Sequence, residues 1–165
     1  MSPAYKQSVG AALHKRSLYT VWKRTAPMPN MVAFDAPSRE VCTLQRASTT
    51  TPQQALVLLN DPQFVEAARA LAERSAKEGH ADTKSRIHAM FTRLAGRAPD
   101  AFESKVLCEL ESKQRSRFLS DPESAAHFLA VGDKKPDPTL DPIDVATLAA
   151  VAQAILNLDA VVWKR

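Results

Sequence analysis

Apolar residues recur along this chain at intervals of three and four, and the stretches that show this spacing tend to open with an acidic or hydroxyl side chain followed by proline. This is how helix starts are written. The side-chain oxygen caps the first free N–H groups, and proline fills the first helical position, where no donor is required. Such starts stand at Thr51-Pro52, Asp61-Pro62, Asp121-Pro122 and Asp141-Pro142. The second opens a helix running to about residue 77, with Phe64, Ala68 and Leu71 on one stripe and Val65 and Ala72 beside it. Glu66, Arg69, Glu73 and Lys77 form its wet face, and Gly79 closes it. Residues 83–94 repeat the logic with Ile87, Met90, Phe91 and Leu94 inward and Gly96 as the stop. Asp100 and Glu103 have the spacing of a capping box, opening a helix that buries Val106, Leu107, Leu110 and Phe118. Asp121 opens a helix with Ala125, Phe128 and Leu129 inward, ended by Gly132, and a polar loop with Pro136 and Pro138 follows. The helix after Pro142 carries Leu148, Val151, Ile155 and Leu158 on its inner stripe and almost no polar face before Asn157, the pattern of a helix central in a bundle or covered by a partner.

The first third reads less regularly. Residues 1–10 have no period, and residues 11–24 form a helix with Leu13, Ser17 and Val21 on one line and Leu18 and Trp22 on the adjoining, core-facing one. Residues 25–37 hold three prolines and form a surface loop pinned by Met28, Met31 and Phe34. Ser38 caps a short helix or turn through residues 39–42, or else residues 41–44 are a lone extended piece. Residues 55–59 are apolar all round, so the short helix after Thr51 is buried on every side. The resulting architecture is all-α: an irregular bundle of six or seven helices in a single domain over residues 1–165, with a Pro-rich loop near its N-terminus and essentially no sheet.

Composition narrows the function more than the fold. The 165 residues are 45% apolar and 24% charged, ordinary for a globular domain. The formal charge of +4 is unevenly spread: residues 1–50 hold seven Lys and Arg against Asp35 and Glu40, whereas residues 101–165 are slightly acidic. An ordinary mixed surface, or a patch meeting an acidic neighbour, explains this better than nucleic acid, which demands denser charge on one element. Cys42 and Cys108 are the only cysteines, with no Cys-x-x-Cys pair and no histidine at ligand spacing, which excludes a zinc site or covalent haem attachment in this segment. The N-terminus has no apolar signal core, and the longest uncharged apolar run is too short to span a bilayer.

No catalytic constellation is visible. The histidines at 14, 80, 88 and 127 form no ligand pair and read as surface or partly packed imidazoles; no nucleophile elbow, phosphate-binding loop or isolated carboxylate pair is present. Arg16, Tyr19, Trp22, Lys23 and Arg24 interleave cations with aromatics, a pattern that stacks nucleic-acid bases, although helical spacing favours inward packing of the rings. The densest polar cluster lies in residues 46–63. On a functional reading Arg46, Thr51, Gln54, Asn60 and Asp61 line a pocket for a polar ligand such as a sugar. On a structural reading they cap helix ends at a tight corner, which accounts for Thr51 and Asp61 and leaves Arg46, Gln54 and Asn60 unexplained.

The runs Arg16-Ser-Leu-Tyr-Thr-Val-Trp-Lys-Arg24, Phe34-Asp-Ala-Pro-Ser-Arg-Glu-Val-Cys42, residues 51–69, Gly96-Arg-Ala-Pro99 and Ile155-Leu-Asn-Leu-Asp159 occur in an order that resembles a known family. It is the planctomycete and verrucomicrobial secreted domain of unknown function found at the C-terminal end of large proteins with cytochrome-c-like domains. Thr50 and Gln53 depart from it, standing where the family typically has Asn and an apolar residue. The resemblance implies that the chain is the later part of a larger helical domain, in an extracytoplasmic setting. Its implied partners are upstream helical and cytochrome-c-like domains, with haem confined to those and none in this segment. The implied function is a non-catalytic scaffold or interaction domain of a secreted haem-associated protein; the alternative is part of a carbohydrate-binding or polysaccharide-degrading enzyme, with polysaccharide as ligand.

Overall fold

The computed structural model describes residues 8–12, 15–23, 26–80 and 82–162. All regular structure among them is helical: two 3-10 turns at Gly10–Ala12 and Ser17–Tyr19, then α1 (Pro29–Ala33), α2 (Pro52–Asn60), α3 (Pro62–Lys77), α4 (Thr83–Ala95), α5 (Ala101–Ser120), α6 (Pro122–Leu129), α7 (Pro142–Leu156) and α8 (Asp159–Val162). The all-α expectation holds. The chain divides into two compact units, one ending at Val57 and one beginning at Leu58, with the boundary inside α2.

In the unit beginning at Leu58, α7 is the axis. It packs against α3, α4, α5 and α6, as its lack of a polar face requires, and buries Val145, Leu148, Val151 and Ile155 completely or nearly so. Two polar side chains share that burial. Thr147 Oγ1 returns its proton to Ile143 O at 2.7 Å, and Gln153 Nε2 donates to Leu59 O at 3.1 Å, so neither is left unpaired. Facing α7, α4 contributes Ile87, Met90 and Phe91, and α3 contributes Val65, Ala68 and Ala72. The expected punctuation is in place. Asp61, Asp82, Asp100, Asp121 and Asp141 each accept from a backbone N–H of the first turn that follows. Asp100 and Glu103 complete the reciprocal capping box, and Gly96 ends α4 at φ 72°. Val106, expected inside, is 44% exposed, because it shares a stripe of α5 with the exposed Phe102 rather than with the buried Leu107 and Glu111.

The largest correction concerns α3. Of its supposed wet face only Lys77 is exposed; Glu66 is 3% exposed, Arg69 2% and Glu73 6%. What covers it is the end of α6 and the irregular segment of residues 130–137, whose backbone Glu66, Arg69 and Glu73 bind. Glu66 Oε2 accepts from the N–H groups of Asp133 (2.5 Å) and Lys134 (3.3 Å). Arg69 donates to the carbonyls of Leu129, Val131 and Lys134. Glu73 Oε1 accepts from Asp137 N at 3.3 Å while facing Arg69 Nε at 3.6 Å, and Lys77 closes the row on the Asp137 carboxylate. An acid-base-acid-base line along one helix face thus meets alternating donors and acceptors of a loop, satisfying backbone that would otherwise be buried without partners. Gly132 is obligatory in this strap. Its φ is 109°, and a Cβ there would lie 2.7 Å from Glu66 Cβ.

The unit ending at Val57 departs furthest from expectation. The helix foreseen over residues 11–24 is not continuous. It is broken into the two 3-10 turns, and Thr20 is extended (ψ 132°). Leu18 and Val21 are 74% and 80% exposed, so no core-facing line forms. Leu13, His14 and Arg24 of that expected helix lie outside the described residues. Residues 25–37 are not loop throughout, since Pro29 starts the short α1; Met28, Met31 and Phe34 are half-buried as foreseen. Ser38 accepts from Glu40 N at 3.3 Å, making a turn rather than a helix. The early part of α2 is not buried all round either: Leu56 is 58% exposed.

Candidate functional site

The polar residues singled out by sequence form a knot rather than an open cluster. α1 ends with Asp35 in the left-handed region (φ 57°), which short polar side chains tolerate, leaving the last carbonyls of the helix without intrahelical partners. Residues from around the start of α2 take them up one after another. Gln54 Nε2 donates to Ala33 O at 2.9 Å, Arg46 Nη2 to Phe34 O, and Arg46 Nε to Asp35 O at 2.9 Å. In return, Asp35 Oδ2 accepts from Thr49 N (2.8 Å) and Thr49 Oγ1 (2.7 Å), which holds its carboxyl below the usual carboxylate range; the nearby Arg46 charge acts in the same direction. Thr51 and Gln54 cap α2 reciprocally, each N–H donating to the other's side chain at 3.3 Å. Asp61 caps α3 through Gln63 N, and Asn60 is the exposed last residue of α2. The structure therefore joins Arg46, Thr49, Thr51 and Gln54 in one network with Asp35 and sets Asp61 to a different task. Asp35 carried no signal in the sequence, because its role depends on where α1 ends.

Of the aromatic and cationic residues near the N-terminus, Trp22 is half-buried with the guanidinium of Arg39 5.9 Å above its ring centre, and Tyr19 is largely exposed. Cys42 is exposed and Cys108 half-buried, both as free thiols. Among the described residues no group of three or more His, Cys, Asp or Glu is placed to hold a metal ion. None of their helices is long and apolar enough to cross a membrane.

A concave surface lies elsewhere, between α4 and α5. Its volume is about 730 Å³, and Pro99 is among the residues that line it. The small side chains of Ala101, Ser104, Cys108 and Ser112 stand one turn apart on α5 and line it, opposite Lys84 and His88 of α4. Short side chains on one helix of an antiparallel pair leave the space between the two unfilled, which is the physical origin of the groove. Lys105 and Lys113 flank the line on α5, with Glu109 between them. On the floor, His88 Nε2 and Ser104 Oγ are 2.8 Å apart, so the buried hydroxyl is satisfied by the imidazole.

At the start of α5, Glu103 N donates to Asp100 Oδ1 at 2.7 Å and Ser104 N to Asp100 O at 2.9 Å, so these two amides are engaged in the helix start. Beside the groove, Arg97 grips both oxygens of Glu103 at 2.5 and 2.7 Å, and with the Asp100 N–H this holds the Glu103 carboxyl down to about 2. Little in the sequence marks the groove, because serine and cysteine one turn apart on an amphipathic helix look like ordinary flank positions. The available signal was His88 facing that line across the tight turn at Gly96.

Comparison with known proteins adds the family. No curated protein and no solved structure gives a significant match. The PSD1 profile, described as a protein of unknown function (DUF1553), matches residues 2–110, about two-thirds of the chain, so it covers the Asp35–Gln54 knot and most of the groove but not α7. The chain belongs to the PSD1 family of proteins of unknown function.

Proposed function

We propose that the chain is a non-catalytic helical interaction domain of a secreted multidomain protein, working outside the cytoplasm beside cytochrome-c-like domains that carry the haem. The observation that carries the interaction reading is the apolar surface of the unit ending at Val57. Leu18, Tyr19, Val21, Val41 and Leu44 are each more than two-thirds exposed there, a density of exposed apolar groups that marks binding surfaces. Val41 and Leu44 lie in the loop that the Asp35–Arg46 bonds close. The extracytoplasmic and haem-linked setting rests on the sequence landmarks alone.

Titration calorimetry of the purified chain against the helical and cytochrome-c-like segments encoded in the same open reading frame tests this. Association with one of them is expected, and Val21→Glu with Leu44→Glu should weaken it at least about tenfold, since two apolar contacts are lost. Turnover of any member of a glycan panel, an open reading frame without such segments, or equal affinity in the double variant overturns the reading.

A further inference from the structure

The groove between α4 and α5 plays no part in the reading above. Its residues satisfy one another, yet it remains an open trough on the surface of the unit beginning at Leu58. The line from Ala101 to Ser112 advances about 17 Å along α5, the length of three helical turns. Small residues at that spacing let the backbone of another helix approach closely. The rim is cationic. Lys84, Lys105 and Lys113 face it against Glu109 and Asp100, and Asp100 has one carboxylate oxygen committed to Glu103 N. A trough with a floor of small side chains and a positive rim fits a helix whose apolar stripe is flanked by carboxylates.

We infer that the α4/α5 groove docks an acidic amphipathic helix of a partner protein, its apolar stripe on the Ser104-Cys108-Ser112 line and its carboxylates against Lys84, Lys105 and Lys113. The inference rests on the interaction-domain reading but uses a different surface, so the two fail separately.

The test uses the whole chain and a fluorescein-labelled amphipathic peptide of about 18 residues, long enough to form a helix, with leucines at helical spacing flanked by glutamates. A second peptide replaces every glutamate by lysine. Anisotropy should show the glutamate peptide binding at least about tenfold more tightly than the lysine peptide, with affinity falling as salt rises. Cys108→Phe, which fills the groove, and Lys105→Glu with Lys113→Glu, which reverses its rim, should each weaken binding about tenfold or more. Ser112→Leu repeats the filling test at a more exposed position should Cys108→Phe not fold by circular dichroism. Equal binding of the two peptides, or unchanged affinity in the filled and reversed variants, overturns the inference. So does self-association of the chain that the filling variants abolish, because the occupant is then a second copy. If the Val21 and Leu44 variants lose their partner while the groove variants keep it and bind no peptide differently, the groove falls and the interaction domain stands.

Discussion

Arg46 and Arg69 each close an irregular stretch of backbone by donating to its carbonyls, one in the unit ending at Val57 and the other in the unit beginning at Leu58. Arg46 takes the carbonyls of Phe34 and Asp35 and is exposed. Arg69 takes those of Leu129, Val131 and Lys134 and is 2% exposed, between two carboxylates that are equally buried. The bonding is alike and the surroundings are opposite. Water can replace Arg46 at the carbonyls it leaves, so its loss costs no more than the net value of charged hydrogen bonds. Arg69 is itself out of water between two buried carboxylates, so its removal takes the compensating charge from both and costs more.

The sharpest way to break this comparison is Arg69→Ala, which leaves Glu66 and Glu73 buried beside unpaired carbonyls. It should cost about 3–5 kcal/mol in urea unfolding, and Arg69→Lys should recover little of that, because one ammonium cannot reach three carbonyls. A cost below about 1 kcal/mol would show that the strap of residues 129–137 is held by something else. Gly132→Ala comes next. Its left-handed φ and the crowding against Glu66 should cost about 2 kcal/mol or more, with early loss of hydrogen-exchange protection at Asp133 and Lys134, the amides that Glu66 accepts.

Arg46→Ala should cost only about 1 kcal/mol, and its effect should stay local: faster proteolysis around residues 33–51, with the unfolding midpoint of α3 to α7 unchanged. An equal effect from Arg46→Ala and Arg69→Ala would refute the burial argument outright. The smallest expected effect is with pH. The folded Glu103 carboxyl is held at about 2 against 4.5 ordinarily, so the folded chain binds fewer protons than the unfolded one at intermediate acidity. The stability it contributes is complete above pH 4.5 and is lost as pH falls toward 2. Glu103→Gln should flatten that part of the stability curve, as followed by urea midpoints, and an unaltered slope would assign it to Glu78, also held near 2 by Arg93 and Arg74, and to Asp137.

The legible part of the fold was the part written locally. Each Asp-Pro start, the Asp100–Glu103 box and the Gly96 stop act within four residues of themselves, and each stands where the sequence places it. The centrality of α7 was equally legible, because a helix with no polar face has nowhere else to go. Residues 11–24 misled for the complementary reason. Leu13, Leu18, Val21 and Trp22 have helical spacing, but a short helix gains its stability from a surface to pack on, and Leu18 and Val21 remain in water.

The sequence alone determined where α2 to α7 begin, which class of fold they build and which family carries them, since all of these are local or additive properties of residue order. Only the tertiary structure decided what the polar residues do. Glu66, Arg69 and Glu73 show the same spacing whether their face meets water or a strap. Arg46 and Gln54 are explained only by carbonyls 11 to 21 residues away, and the groove at Ser104 exists only because α4 and α5 lie side by side. A polar side chain is chemically competent for many partners, and the one it takes is fixed by which backbone groups folding leaves unsatisfied within its reach.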